Sequence, residues 1–266
     1  MSIFFSSPTP KLAVSLADSV ATVAVDNPAK RNAFDLEMWR ALPAIMAALD
    51  GDDRVRVVVL RGAGASAFAS GADISEFQTH RADAASGRHY EAVNEAALWA
   101  VARCLKPVVA MIRGHCLGAG FGLALSCDLR IAAENAVFGI PAAKLGVGYP
   151  PGAMKIITAA VGAPAAKDLF FTARRIDAAQ AERLGVVQQV VADGGLEATV
   201  MSLAQGIARN APLTIRAAKA AIDDAAGLER PGTDPVALAD LCFDSADAIE
   251  GRNAFLEKRE PVFTGR

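Results

Sequence analysis

The 266-residue chain predicts an α/β fold with a helical tail. Three observations carry this. A strand followed by a Gly-rich loop and a helix occurs twice, at "RVRVVVLRG" and at "KPVVAMIRG". Short strands and crossovers then alternate up to "GVVQQVVA", a rhythm that favours parallel pairing with helices outside the sheet. Beyond Leu196 two long helical patterns follow and no good strand. Residues 1–195 are therefore read as the α/β body and 196–266 as a helical region.

In chain order, "KLAVSLADSVATVAVD" reads as a hairpin, two β-rich runs around the turn Ala17, Asp18, Ser19. "NPAKRNAF" is a polar loop. Asn32 or Asp35 is placed to cap a helix through about Asp50, with Leu36, Trp39, Leu42, Met46 and Leu49 on one face. Pro43 inside that pattern predicts a kink or an early boundary. "RVRVVVLRG" is a buried strand, and its loop ends in "SGAD" before a helix from about Ile74. "KPVVAMIRG" is a second such strand, followed by "HCLGAG" and a helix through about Cys127. "DLRIAA" and "AVFGI" are short strands, and "GVVQQVVA" supplies one more near Val190. "APLTIRAAKAAIDDAAG" and "PVALADLCFDSADAIEGRNAFLEKR" each read as helix, with Pro212 suited to a first turn. Leu213, Ile215, Leu241, Phe243, Ile249 and Phe255 need burial, which implies packing on the body or on another subunit.

Bulk composition narrows the function. The apolar fraction of 53% supports a sizeable core. A formal charge of −2 without a long basic run argues against nucleic acid. No apolar run approaches the roughly 18 residues of a membrane span, and "MSIFFSSPTPK" lacks the basic start of a targeting segment. Cys104, Cys116, Cys127 and Cys242 form no CxxC pair, which fits thiols packed in a reducing cytoplasm. His80, His89 and His115 form no metal-ligand cluster in sequence.

The two Gly-rich loops hold the chemistry. "GAGASA", residues 62–67, matches GxGxxA after a strand. A dinucleotide loop enters its helix at once, whereas Phe68, Ser70 and Gly71 delay any helix here. GxxxxGK[ST] and GxSxG are absent. Each loop instead ends in a small residue at a helix start, Ala72 in "SGAD" and Ala119 in "GAG". Free N–H groups at such junctions bind anions, and two of them converging on one oxygen make an oxyanion hole. Small residues also simply permit tight turns, and the pattern alone leaves both readings open.

The chain resembles the crotonase superfamily, the enoyl-CoA hydratase/isomerase family. The resemblance rests on "NPAKRNAF", "AFASGADISEF", "KPVVAMIRGHCLGAGFGLALSCDLRIAAENAVFGIPAAKLGV", "LFFTARRIDAAQAERLGVVQQVV" and "EGRNAFLEKR", in family order over nearly all of the chain. It implies a spiral of ββα units with a C-terminal helical oligomerisation region, and a homotrimer or dimer of trimers. It implies an acyl-CoA substrate, with no cofactor beyond the coenzyme A of the thioester. It places the oxyanion donors at Ala72 and Ala119. Contacts to the coenzyme A moiety fall near Lys30, Arg31, Asp73 and Ile74, and Lys258 matches a basic tail residue that reaches a neighbouring subunit's ligand.

The same resemblance exposes a gap. A family hydratase uses two glutamates, and their positions hold Gly122 and Ala142. Hydration needs water deprotonated as it attacks and a proton delivered to the next carbon, and neither residue carries one. Tyr149 in "LGVGY" matches a tyrosine of the related methylmalonyl-CoA decarboxylases, although those keep an acid where Gly122 stands. Three functions follow: an enolate-stabilising acyl-CoA lyase or isomerase, a decarboxylase of a malonyl-type thioester, and a non-catalytic CoA-binding trimer. Glu76, Glu91, Glu95, His80, His89 and Tyr90 lie in the segment after the first loop, and surface exposure is the expectation for each.

Overall fold

The computed structural model describes residues 3–266. The amino-terminal part is an antiparallel meander, β1 (Ile3–Phe4), β2 (Leu12–Ala17) and β3 (Val20–Val25). Asp18 and Ser19 turn the β2–β3 hairpin with φ of 49° and 63°, the left-handed pair that matches strand twist. Helix α1 (Leu36–Asp50) follows, capped by Asp35, whose carboxylate accepts from Met38 N. Asn32 is therefore not the cap. The helix also runs through Pro43 to Asp50 instead of ending early; Leu42, Ile45 and Met46, all buried around the proline, hold it.

Three ββα turns then stack. The first is β4 (Val57–Gly62), β5 (Ala67–Ala69), α2 (Phe77–His80) and α3 (Ala84–Ala102). The second is β6 (Val108–Ile112), β7 (His115–Leu117) and α4 (Ala119–Leu125). The third is β8 (Leu129–Ala133), β9 (Val137–Gly139), α5 (Ala142–Leu145) and α6 (Pro151–Thr172). β10 (Ile176–Asp177), α7 (Ala178–Arg183) and β11 (Gln189–Val191) close the body. The first strand of each turn joins a seven-stranded sheet of order β1-β2-β3-β4-β6-β8-β11, and the second joins a four-stranded sheet of order β10-β9-β7-β5. Pairing is parallel from β3 through β11 and between β5, β7 and β9.

The tail is all helix: α8 (Leu196–Arg209), α9 (Pro212–Ala225), α10 (Pro235–Phe243) and α11 (Ala246–Glu257). Two single helices expected from sequence are broken. The one from Ile74 breaks after His80, because Asp83 and Ser86 form a capping box that starts α3 afresh. The one after Pro235 breaks at Asp244, because Ser245 Oγ caps α11 through Ala248 N. The strands β5, β7 and β10 had no sequence signal; each has only two or three residues.

Burial explains the unbroken apolar runs. Val57, Val58, Val59 and Leu60 are at most 1% exposed, because the large sheet is covered on both faces. One face meets α1, α3, α4 and α6 in the main core. The other takes Val57, Val59, Val109 and Ile131 against Leu196, Val200 and Ala204 of α8. Burial also pushes the thiols of Cys104 and Cys127 up to about 12, so they pack as apolar groups.

Helix α9 is tied to this body by one buried cation. Lys219 Nζ lies 2.7 Å from Asp128 Oδ2 and 3.2 Å from the Lys106 carbonyl, and its side chain is 9% exposed. Asp128 also accepts from Val108 N at 2.6 Å. Removing one partner of a buried pair costs about 3 kcal/mol or more, because the other charge stays behind. Lys219→Met should therefore lower the unfolding free energy by about 3 kcal/mol in urea titration. An unchanged midpoint would mean that the pair contributes nothing.

Candidate active site

The first loop is shaped by residues 30–34. Asn32 is fully buried in a left-handed conformation, φ 58°. Its Nδ2 donates to the carbonyls of Ala63 (3.0 Å) and Ala67 (2.8 Å), and its Oδ1 accepts from Asn27 N at 3.1 Å. The amide thus clamps the loop that leads into β5. Phe34 N donates to the Gly71 carbonyl and Asp73 N to the Phe34 carbonyl, both at 2.8 Å. This register makes Phe34 and Ala72 bridge partners and leaves the Ala72 N–H without a backbone acceptor among the described residues.

The second loop turns at Gly118, with φ 54° and ψ −128°, a region that strongly favours glycine. Gly118 N donates to the Gly139 carbonyl at 2.8 Å, while Phe121 N and Gly122 N share the Gly118 carbonyl. Ala119 is the first residue of α4, so its N–H has no acceptor within the helix. The two loops touch. A Cβ built on Gly71 (φ 107°) would lie 3.5 Å from Ala119 N and 3.6 Å from Gly118 Cα, so any side chain at position 71 would stand against that N–H.

Both alanines line one small cavity of about 70 Å³. Ala142, Tyr149, Glu91, Asn94 and Arg81 line it too, and Ile74 and Gly118 complete its edge. The Tyr149 ring packs edge-on against Phe170, centroids 5.0 Å apart. Burial first, and the Glu91 carboxylate second, push its hydroxyl well above the usual phenol range, with Arg81 acting the other way.

Of the residues expected in the site, Ala72, Ala119, Tyr149 and Ala142 come together there. Gly122 does not line the cavity. It is buried in α4, and a Cβ on it would meet Leu98 Cδ1 of α3 at 3.6 Å. Lys30, Arg31, Asp73 and Lys258 lie off the lining. Asp73 is 7% exposed, pairs with Lys30, and accepts from Ser75 N (3.0 Å) and Ser75 Oγ (2.8 Å). Lys258 is the exposed, left-handed cap of α11.

The segment after the first loop departs most from expectation. Glu91 was expected on the surface; its side chain is 17% exposed and bonded to Arg81 Nη2 at 2.5 Å. Burial raises its carboxyl above the ordinary range, Arg81 opposes that, and Glu95 adds to it. Tyr90 is 1% exposed, and His80 stacks beside it. Glu76 accepts from Leu36 N at 2.9 Å, and Glu95 lies against Gly152 in the first turn of α6. Arg81 and Asn94 had not been singled out. The available signal was Asn94 itself, a polar residue within the apolar stripe Tyr90, Ala97, Leu98, Val101 of α3.

Known proteins share this fold. The model of the enoyl-CoA hydratase/isomerase family matches residues 15–266. A solved enoyl-CoA hydratase/carnithine racemase from Magnetospirillum magneticum superposes with a TM-score of 0.90 at 38% identity, covering 98% of this chain and 97% of that one. The stacked ββα turns thus form a crotonase-like α/β spiral with a helical C-terminal region. The chain belongs to the enoyl-CoA hydratase/isomerase family. It is 34% identical over 251 residues to a probable mitochondrial enoyl-CoA hydratase 2 of Arabidopsis thaliana, covering 92% of this chain and 82% of that protein. It is 33% identical over 245 residues to a short-chain-enoyl-CoA hydratase of Clostridium acetobutylicum, covering 91% and 92%.

Proposed function

We propose that this acyl-CoA enzyme holds a thioester oxygen between the N–H groups of Ala72 and Ala119 while the acyl group passes through an enolate. The observation that carries this reading is the pair of unpartnered N–H groups at two touching loop ends beside one cavity. Such donors need no reorganisation when charge develops on the oxygen, which is why they lower the barrier. The coenzyme A moiety extends past Ile74 toward Lys30 and Arg31, with Lys258 serving a neighbouring subunit. Hydration of the usual two-glutamate kind is disfavoured, since Gly122 and Ala142 carry no acid.

Decarboxylation of a malonyl-type thioester is the second reading, favoured by Tyr149 and the Arg81 cation on the cavity wall. It needs no base, because loss of carbon dioxide leaves the enolate directly. Against it, the Arg81 guanidinium is already engaged by Glu91, so a substrate carboxylate would have to compete for it. Crotonyl-, 3-enoyl-, methylmalonyl- and aryl-CoA thioesters, incubated separately and read by mass spectrometry, separate hydration, isomerisation and decarboxylation. Turnover of none of them would favour a non-catalytic CoA-binding role.

The protein works as a trimer or a dimer of trimers. Phe243 is 82% and Phe255 83% exposed, with Leu241, Ile249 and Leu256 about half-exposed or more on the same two helices. That much apolar surface is costly to leave in water. Light scattering should give a mass of three or six chains, and a monomer at micromolar concentration would refute this.

A further inference from the structure

We propose that Glu91 is the catalytic residue that carries the proton in this cavity, with Arg81 as the residue that positions it. The inference rests on the enolate reading above and deepens it. Of the three glutamates in the segment after the first loop, Glu76 is spent on the start of α1 and Glu95 faces Gly152. Glu91 lines the cavity that also holds Ala72 and Ala119, and among the described residues no other acid lines it. Its position is fixed. The Arg81 guanidinium, 2.5 Å from Glu91 Oε1, lies over the Phe77 and Tyr90 rings at 4.3 and 4.4 Å. A cation held between two rings has little freedom to leave. One turn further along α3, Asn94 is 2% exposed and its Nδ2 has no hydrogen-bond partner. A buried unpaired donor is costly, and an acceptor on the bound acyl group would remove that cost.

The step balances without any further reactant. The Glu91 carboxylate takes a proton from the carbon next to the thioester. The C–H electron pair becomes the enolate double bond, and the carbonyl pair moves onto the oxygen held by the two N–H groups. Glu91, now a carboxylic acid, returns the proton to the same carbon or to another carbon of the acyl group. The charged and titratable groups around Glu91 are Arg81 at the end of α2, Tyr149 beyond α5, and Tyr90 and Glu95 on its own helix. Burial is the leading influence on the carboxyl, so its deprotonation falls above the ordinary carboxylate range, closer to the pH at which a base works well.

The test uses hydrogen exchange, which requires no net reaction. Phenylacetyl-CoA and butyryl-CoA are incubated with the full-length protein in D2O, and deuterium uptake next to the thioester is read by mass spectrometry. The native protein should exchange at least one of them, faster as pH rises through the Glu91 titration. Glu91→Gln should lose about 100-fold or more, lose that pH limb, and still bind the thioester by calorimetry. Glu95→Gln should keep exchange, with the pH limb moved down because one charge that raises the Glu91 carboxyl is gone. Should Glu91→Gln fail to fold, Glu91→Asp keeps the charge and should exchange slowly with the limb retained; a native rate in that variant would count against the proposal. Native exchange in Glu91→Gln overturns the role of Glu91 alone, provided Ala119→Pro abolishes exchange. No exchange of either probe by the native protein overturns both the role and the enolate reading beneath it.

Discussion

Ala119→Pro should fold and yet turn over its thioester about 10²–10³-fold more slowly, the loss seen when one oxyanion donor is removed. The substitution is gentle for the helix. Ala119 is the first residue of α4, where proline's missing N–H breaks no helical bond and its fixed φ suits the turn. The preceding residue is Gly118, which has no Cβ to clash with the new ring. The expected change is therefore in the chemical step and not in stability. Circular dichroism and a thermal midpoint close to the native values, together with single-turnover rates on the best thioester of the panel, separate the two. A native rate in the folded variant would remove Ala119 from the mechanism.

The second large effect concerns crotonyl-CoA. Relatives about one-third identical are named as hydratases, yet hydration by this chain should be slow or absent. A general acid or base is worth ~10²–10⁴ in rate, and the positions that the resemblance assigns to the two glutamates hold Gly122 and Ala142. Restoring them as Gly122→Glu with Ala142→Glu should raise hydration above the native level. The two positions differ in difficulty. Ala142 is already on the cavity, so a longer side chain there reaches the substrate directly. At Gly122 the new Cβ fits, in ordinary contact with Leu98, but the rest of the side chain must pass that leucine. Adding Leu98→Ala should therefore increase the gain, at a cost in stability of about 2–5 kcal/mol from the lost core methyls. Mass-spectrometric assay of 3-hydroxybutyryl-CoA decides it. Native turnover at rates normal for a hydratase would show that another residue activates the water, and Glu91 would be the first to replace.

How much of this was legible in the sequence depends on what kind of signal each element leaves. The long strands and helices announce themselves, Val57–Gly62 as an unbroken apolar run and Leu36–Asp50 through the helical spacing of its buried face. The short strands of the second sheet do not. Ala67–Ala69 and His115–Leu117 are three residues each, too short to show alternation, and they are held by parallel partners distant in the chain. Helix breaks at Asp83 and Ser245 were readable in principle as caps, but apolar patterning continued across them. The cavity was half visible. Ala72, Ala119, Ala142 and Tyr149 follow from loop chemistry and resemblance. Glu91 was in view but its direction was not, because inward or outward placement on α3 depends on where Arg81 and the 138–152 stretch lie. That information is tertiary.

One consequence concerns how this protein would look to a mutational survey. The two free N–H groups described above belong to the main chain, and the residues that carry them are already alanine. An alanine scan would pass over both positions without making a change. A deep scan would score them by how well each new side chain tolerates a crowded turn, not by loss of a donor, since every residue except proline supplies the same N–H. At Ala119 the signature to look for is an isolated intolerance to proline at a helix start that ordinarily accepts it, accompanied by normal protein abundance.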